Sequence, residues 1–122
     1  MEHVHLSDSE YRFMQVVWGA EPVGSGQLAA LCGETLGWKK STTYTVLKKL
    51  CQRGILQNED SVVTARYPRE EVTAASAGEF VDKTFGGSLP GFLAAFMSGR
   101  RLSPGEAEEL KRLIDQYQNR EE

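Results

Sequence analysis

The chain has 122 residues, 40% of them hydrophobic and 25% charged, enough for one domain of ordinary size with a small appendage and too apolar for wholesale disorder. No apolar run approaches the roughly 18 residues that span a bilayer, and the opening MEHVHLSDSE is acidic and polar where a secretory signal is basic and then apolar, so membrane insertion is not expected and a cytoplasmic location is. A net charge of −3 excludes a uniformly basic nucleic-acid coat, and Cys32 and Cys51, each set among helical apolar positions, read as buried small side chains rather than as ligands or redox centres.

In chain order, Leu6-Ser7-Asp8-Ser9-Glu10 is a helix start, with Ser7 as cap, Glu10 reaching back in a capping box and Leu6 stapled against Tyr11. Phe13, Met14 and Val17 form its buried stripe, and Gly19 ends it near Trp18. Glu21-Pro22-Val23 is short and extended. Ser25 then caps a second helix whose Leu28, Leu31 and Cys32 share a face, running to about Leu36 before Gly37 and Trp38 turn the chain. A third helix follows, KKSTTYTVLKKL from Lys39 to Leu50, with Ser41 as its expected cap and Gly54 as its end. Its buried face is Leu47, Leu50 and Cys51 with Thr43 and Val46 beside them, which leaves Thr42, Thr45, Lys48 and Lys49 toward water. Ile55 packs back on Leu50 as the partner of a Schellman end. Ile55–Asn58 and Val62–Tyr67 are strand-like and separated by Glu59, Asp60 and Ser61, which predicts a hairpin.

Three helices and a hairpin make a winged helix-turn-helix, in which the third helix enters the major groove and the hairpin lies along the backbone. Charge is segregated to match. Between Gly37 and Arg69 seven lysines and arginines face two acids, a net of five positive charges, whereas Glu71 to Glu122 carries six bases and nine acids. A basic block in an otherwise acidic chain is what a localised phosphate-facing surface looks like in sequence. Short hydroxyls can approach base edges, and lysines add attraction to any duplex.

Beyond Pro68 the pattern is all helix. One helix covers about Arg69 or Val72 to Phe85 and is broken by Gly86-Gly87. Ser88 caps the next, and Leu102-Ser103-Pro104-Gly105-Glu106 repeats the capping-box grammar of the opening with proline at the first helical position. Phe80, Phe85, Leu89, Phe92, Leu93, Phe96, Met97, Leu110, Leu113 and Ile114 give this region more apolar surface than some 50 residues bury alone. Pairing with a second copy is the expected solution, with docking on the chain's own amino-terminal half as the alternative. The fold expected is therefore mainly α with a small β-hairpin: residues 1–70 a winged-helix DNA-binding domain and residues 71–122 a helical dimerisation domain.

LSDSEYRFMQVVW from Leu6, GWKKSTTYTVLKKLCQRGIL from Gly37, Arg66-Tyr67-Pro68, the FGGS break at Phe85 and LSPGEAEELKRLID from Leu102, in this order and spacing, resemble the penicillinase repressor family, the BlaI/MecI/CopY group of bacterial winged-helix regulators. The resemblance covers nearly the whole chain. It implies a homodimeric repressor on a palindromic double-stranded DNA operator, with Ser41, Thr42, Thr43, Tyr44 and Thr45 at the bases and Lys39, Lys40, Lys48, Lys49 and Arg66 on the backbone. The acidic hairpin tip, Glu59 and Asp60, departs from a phosphate-hugging wing. Family members that answer β-lactams are cut by a membrane sensor protease between an asparagine and a phenylalanine. The corresponding bond here is Ala95–Phe96, without the asparagine. Copper-sensing members carry paired Cys-x-Cys motifs near the carboxy terminus, and no cysteine follows Cys51 here.

No cofactor or metal is expected, and His3 and His5 read as exposed side chains of a terminus. An enzyme is not expected either, since there is no glycine-rich phosphate loop, metal-ligand cluster or nucleophile with a partner histidine. A winged helix that binds proteins, an adaptor without specific DNA binding, is the competing reading.

Overall fold

A computed structural model describes residues 4–119, and several of its helices begin on serine side-chain caps. Helix α1 (Asp8–Ala20) starts on the expected capping box: the Ser7 hydroxyl accepts the Glu10 N–H at 3.2 Å and the Glu10 carboxylate accepts the Ser7 N–H at 2.9 Å. It runs two residues past Trp18. Strand β1 (Val23–Gly24), helix α2 (Ser25–Leu36), helix α3 (Lys40–Gln52) and the hairpin β2 (Leu56–Glu59) and β3 (Val62–Ala65) follow. All three strands form one antiparallel sheet in the order β1-β3-β2, so the extended Glu21-Pro22-Val23 segment ends as a third strand, with Val23 opposite Val63.

Two of the expected caps are displaced. Gly24, not Ser25, is the N-cap of α2, and Lys39, not Ser41, is the N-cap of α3; neither supplies a side-chain bond. Pairing decides the first case, because β1 continues to Gly24 and the Ser25 N–H donates to the Ser61 carbonyl at 2.8 Å. Packing decides the second. Gly37 takes the left-handed conformation at φ 72°, and Trp38 stacks on Phe13 with ring centroids 5.7 Å apart, which delivers the chain into α3 at Lys39. The far end of α3 closes as expected: Gly54 has φ 78°, its N–H reaches the Cys51 carbonyl, and the Ile55 N–H reaches the Leu50 carbonyl.

The hairpin turn is tighter than the sequence suggests. Glu59 pairs with Val62, leaving only Asp60 and Ser61 in the turn, with φ of 52° and 65°. Two successive left-handed residues define the type I′ turn whose twist matches that of the strands. Phe13, Met14, Val17, Leu28, Cys32, Leu47, Leu50, Ile55, Leu56, Val63 and Val72 form the core beneath α1, α2, α3 and the sheet.

Val72 lies in helix α4 (Arg69–Phe85), so the amino-terminal unit does not end at residue 70 as expected. The chain divides after Phe80. The start of α4 is fixed to α1: the Trp18 indole N–H donates to the Tyr67 carbonyl at 3.0 Å, the Arg69 guanidinium lies over the Trp18 ring, and the Tyr11 and Thr73 hydroxyls meet at 3.1 Å.

The second unit, from Val81, contains the end of α4, helix α5 (Leu89–Met97) and helix α6 (Pro104–Gln118). Gly86 and Gly87, both with positive φ, break α4 as expected, and Ser88 caps α5 by accepting the Gly91 N–H. Ser103 and Glu106 form the second capping box, with Pro104 at the first helical position. Neither α5 nor α6 contains a buried residue.

Candidate nucleic-acid interface

Helix α3 divides by its own periodicity. Thr43, Leu47 and Leu50 turn inward, and Ser41, Thr42, Tyr44, Thr45, Lys48 and Lys49 are exposed, as are Lys39 and Lys40 at its start. Thr43 is the correction to the expected set of DNA contacts. It is fully buried, its hydroxyl has no hydrogen bond of ordinary geometry, and its neighbour is the Cys32 thiol of α2. Burial pushes the Cys32 thiol up, and the Thr43 hydroxyl beside it offsets only part of that rise. Cys51, half-buried, is also pushed up by burial.

The outward residues form a band with two flanks. Ser41, Thr45, Lys48 and Gln52 lie along its centre, at spacings of one helical turn. Thr45 donates to the Ser41 carbonyl at 2.9 Å, which leaves its oxygen lone pairs toward solvent. On one flank Tyr44 and Lys48 line a shallow cleft with Leu47, Cys51 and Asn58 of the hairpin. Tyr44 is 41% exposed, and its hydroxyl stands near Gly26 at the start of α2. The other flank carries Thr42, Lys49 and Arg53.

The basic block does not present all its charge. Lys49 Nζ lies 3.3 Å from Glu10 Oε2, and Arg53 Nη1 lies 3.2 Å from Glu10 Oε1. Arg53 also donates to the His5 carbonyl. Burial pushes the Glu10 carboxyl up, but the Ser7 N–H, Lys49 and Arg53 together outweigh it and hold the group below its ordinary value. Lys39, Lys40, Lys48 and Arg66 have no ion pair among the described residues, and Arg66, just past β3, is exposed. The contacts of Glu10 with Lys49 and Arg53 are what sequence reasoning missed at this face. At the hairpin tip the Glu59 carboxylate accepts from Gln57 Nε2 at 3.0 Å.

His5 Nδ1 meets Glu79 Oε1 at 3.2 Å, and His3 lies outside the described residues. No helix among the described residues is long and apolar enough to cross a membrane.

In the second unit, Leu93, Phe96, Met97, Leu102, Leu110 and Leu113 line an open apolar groove edged by Glu106 and Glu109. Phe85, Phe92 and Phe96 continue that surface as a chain of ring contacts at 5.6 Å and 5.7 Å. Leu89, Phe96, Leu113 and Ile114 are each about half exposed or more. Phe80, at the end of the first unit, is 51% exposed. Ala95 and Phe96 sit in the last turn of α5, both exposed, with the Arg100 guanidinium 4.4 Å from the Phe96 ring centre.

Three helices closed by a small sheet, with a helix of exposed hydroxyls and lysines beside the hairpin, make the winged-helix architecture of DNA-binding regulators. Residues 6–116 match the family model of the penicillinase repressors. The chain belongs to that family, a family of DNA-binding transcriptional repressors and not of enzymes. It is 23% identical over 119 residues to the penicillinase repressor of Bacillus licheniformis, covering 94% of this chain and 93% of that protein. The Staphylococcus aureus penicillinase repressor is 20% identical over 118 residues, covering 93% and 94%. The methicillin resistance regulatory protein MecI of the same species is 19% identical over 114, covering 90% and 93%. Family membership supports the repressor over the adaptor.

Proposed function

We propose that the protein represses transcription in the cytoplasm as a homodimer on a palindromic operator, each copy laying α3 in a major groove and pairing through α5 and α6. The observation that carries this reading is the outer face of α3. Ser41, Thr42, Tyr44 and Thr45 are exposed on α3 and flanked by Lys39, Lys40 and Lys48, which have no ion pair among the described residues. Hydroxyls of this kind donate to or accept from base edges, whereas lysines bind any phosphate. Dimerisation is supported by α5 and α6, which bury none of their own residues and present the groove of Leu93, Phe96, Met97 and Leu113. A second copy would cover that surface and set two recognition helices at a fixed spacing, which a palindromic site answers.

Release from DNA would follow from a cut at Ala95–Phe96 by a membrane sensor protease, because that bond lies in the last turn of α5 and its loss separates Phe96, Met97 and α6 from the rest of α5. The test of the reading is a gel shift against the DNA upstream of the protein's own gene, with sedimentation on the same sample. A preferred fragment bound by two copies is expected. Equal binding to every fragment, or a monomer at micromolar concentration, would refute it.

A further inference from the structure

Glu10 is 7% exposed and faces two cations of α3 from a different helix. Lys49 is 62% exposed at its side chain and lies on the same flank of α3 as Thr42, so it is within reach of a duplex laid on that helix. A carboxylate and a phosphate offer these groups the same oxyanion chemistry. A lysine that moves from Glu10 to a phosphate exchanges one anion for another and leaves a buried carboxylate with less compensation. It therefore contributes less to binding than a lysine that arrives from water. Arg53 is held more firmly still, since its second nitrogen is taken by the His5 carbonyl.

We propose that Glu10 acts as a built-in competitor for phosphate, withholding Lys49 and Arg53 from DNA and thereby limiting affinity for non-operator sequence. The base-facing hydroxyls Ser41, Thr42 and Thr45 are not touched by Glu10, so the effect falls on the non-specific part of binding and raises the ratio of operator to non-operator affinity. This rests on α3 being the DNA-facing helix. Glu10 is a positioning residue in this account. Its second duty, the capping box with Ser7, is separable, because a glutamine at that position also accepts the Ser7 N–H.

The experiment measures duplex binding of the full chain against salt concentration, using an unrelated duplex and a preferred fragment in parallel, for wild type, Glu10→Gln, Lys48→Gln, Lys49→Gln and Arg53→Gln. Each phosphate neutralised adds about 0.9 to the salt slope. Glu10→Gln is expected to bind the unrelated duplex severalfold more tightly, with a slope steeper by up to about 1.8 for two released cations, and to lose discrimination against it. Lys48→Gln is expected to lower the wild-type slope by close to about 0.9 and Arg53→Gln by much less, with Lys49→Gln between them. The three lysine and arginine variants carry the test even where Glu10→Gln folds poorly. Equal losses of slope from Lys48→Gln, Lys49→Gln and Arg53→Gln would overturn the proposal, as would an unchanged slope in folded Glu10→Gln. Wild-type protein that binds no duplex in a salt-dependent way would overturn the DNA-facing assignment of α3 itself.

Discussion

Replacing Thr43 by valine tests whether this position serves the core or the DNA. Its side chain is fully buried against α2, and its hydroxyl makes no hydrogen bond of ordinary geometry. A hydroxyl buried without compensation costs about 1–3 kcal/mol by protein mutational measures, and the Cys32 thiol beside it is at most a weak partner. Valine has nearly the same shape and nearly the same helix propensity, so little is lost when the hydroxyl goes. Thr43→Val is therefore expected to stabilise the amino-terminal unit by about 1 kcal/mol, a rise of about 4–8 °C in the midpoint for a unit of this size. Thermal unfolding reads the stability, and fluorescence anisotropy on a preferred duplex reads the affinity, which should stay within about twofold of wild type. A variant that is destabilised by about 1 kcal/mol or more would show that the hydroxyl has a partner. One that folds normally but loses about tenfold in affinity would place Thr43 at the DNA and refute the burial argument.

Glu10, held below its ordinary value in the folded chain, contributes stability that is fully present above the unfolded-state pKa and is lost as pH falls through the lowered folded value. Urea midpoints measured from about pH 5 toward pH 2 should therefore fall less steeply for Glu10→Gln than for wild type, and parallel curves would contradict the sign. Ser61→Gly, at φ 65° in the hairpin turn, should stabilise by roughly 1 kcal/mol because glycine adopts that conformation freely; a lower unfolding midpoint would count against the type I′ assignment. Phe96→Asp places a charge in the apolar groove and should give a monomer by sedimentation with much weaker operator binding, whereas a dimer of unchanged affinity would locate the interface elsewhere.

What could be read from the sequence was local. The capping boxes at Ser7 and Ser103 and the Schellman end at Gly54 each depend on residues within six positions, and each formed as their chemistry dictates. The inward face of α3 was legible in the same way. Periodicity put Thr43 beside Leu47 and Leu50, and the structure follows that pattern over the resemblance that set Thr43 among the DNA contacts. Starts set by distant partners were not legible. Ser25 and Ser41 are good caps by composition, yet the pairing of β1 with β3 and the stacking of Trp38 on Phe13 place those helix starts one and two residues earlier. The unit boundary moved for a related reason, since Val72 of α4 completes a core assembled from residues far earlier in the chain. The link from Glu10 to Arg53 spans 43 positions, and nothing in either segment alone announces it.

Selection of bound duplexes from a random pool, followed by the same selection with Thr42→Ala, tests whether α3 reads a palindromic operator as a dimer. A homodimer reading DNA through α3 should recover, as wild type, a two-fold symmetric site whose half-sites are about 10 base pairs apart, or a multiple of that, and the variant should show a lower ratio of specific to non-specific affinity with its salt slope intact. A pool that shows no preferred sequence, or an asymmetric site bound by one copy and indifferent to Thr42, would contradict that reading.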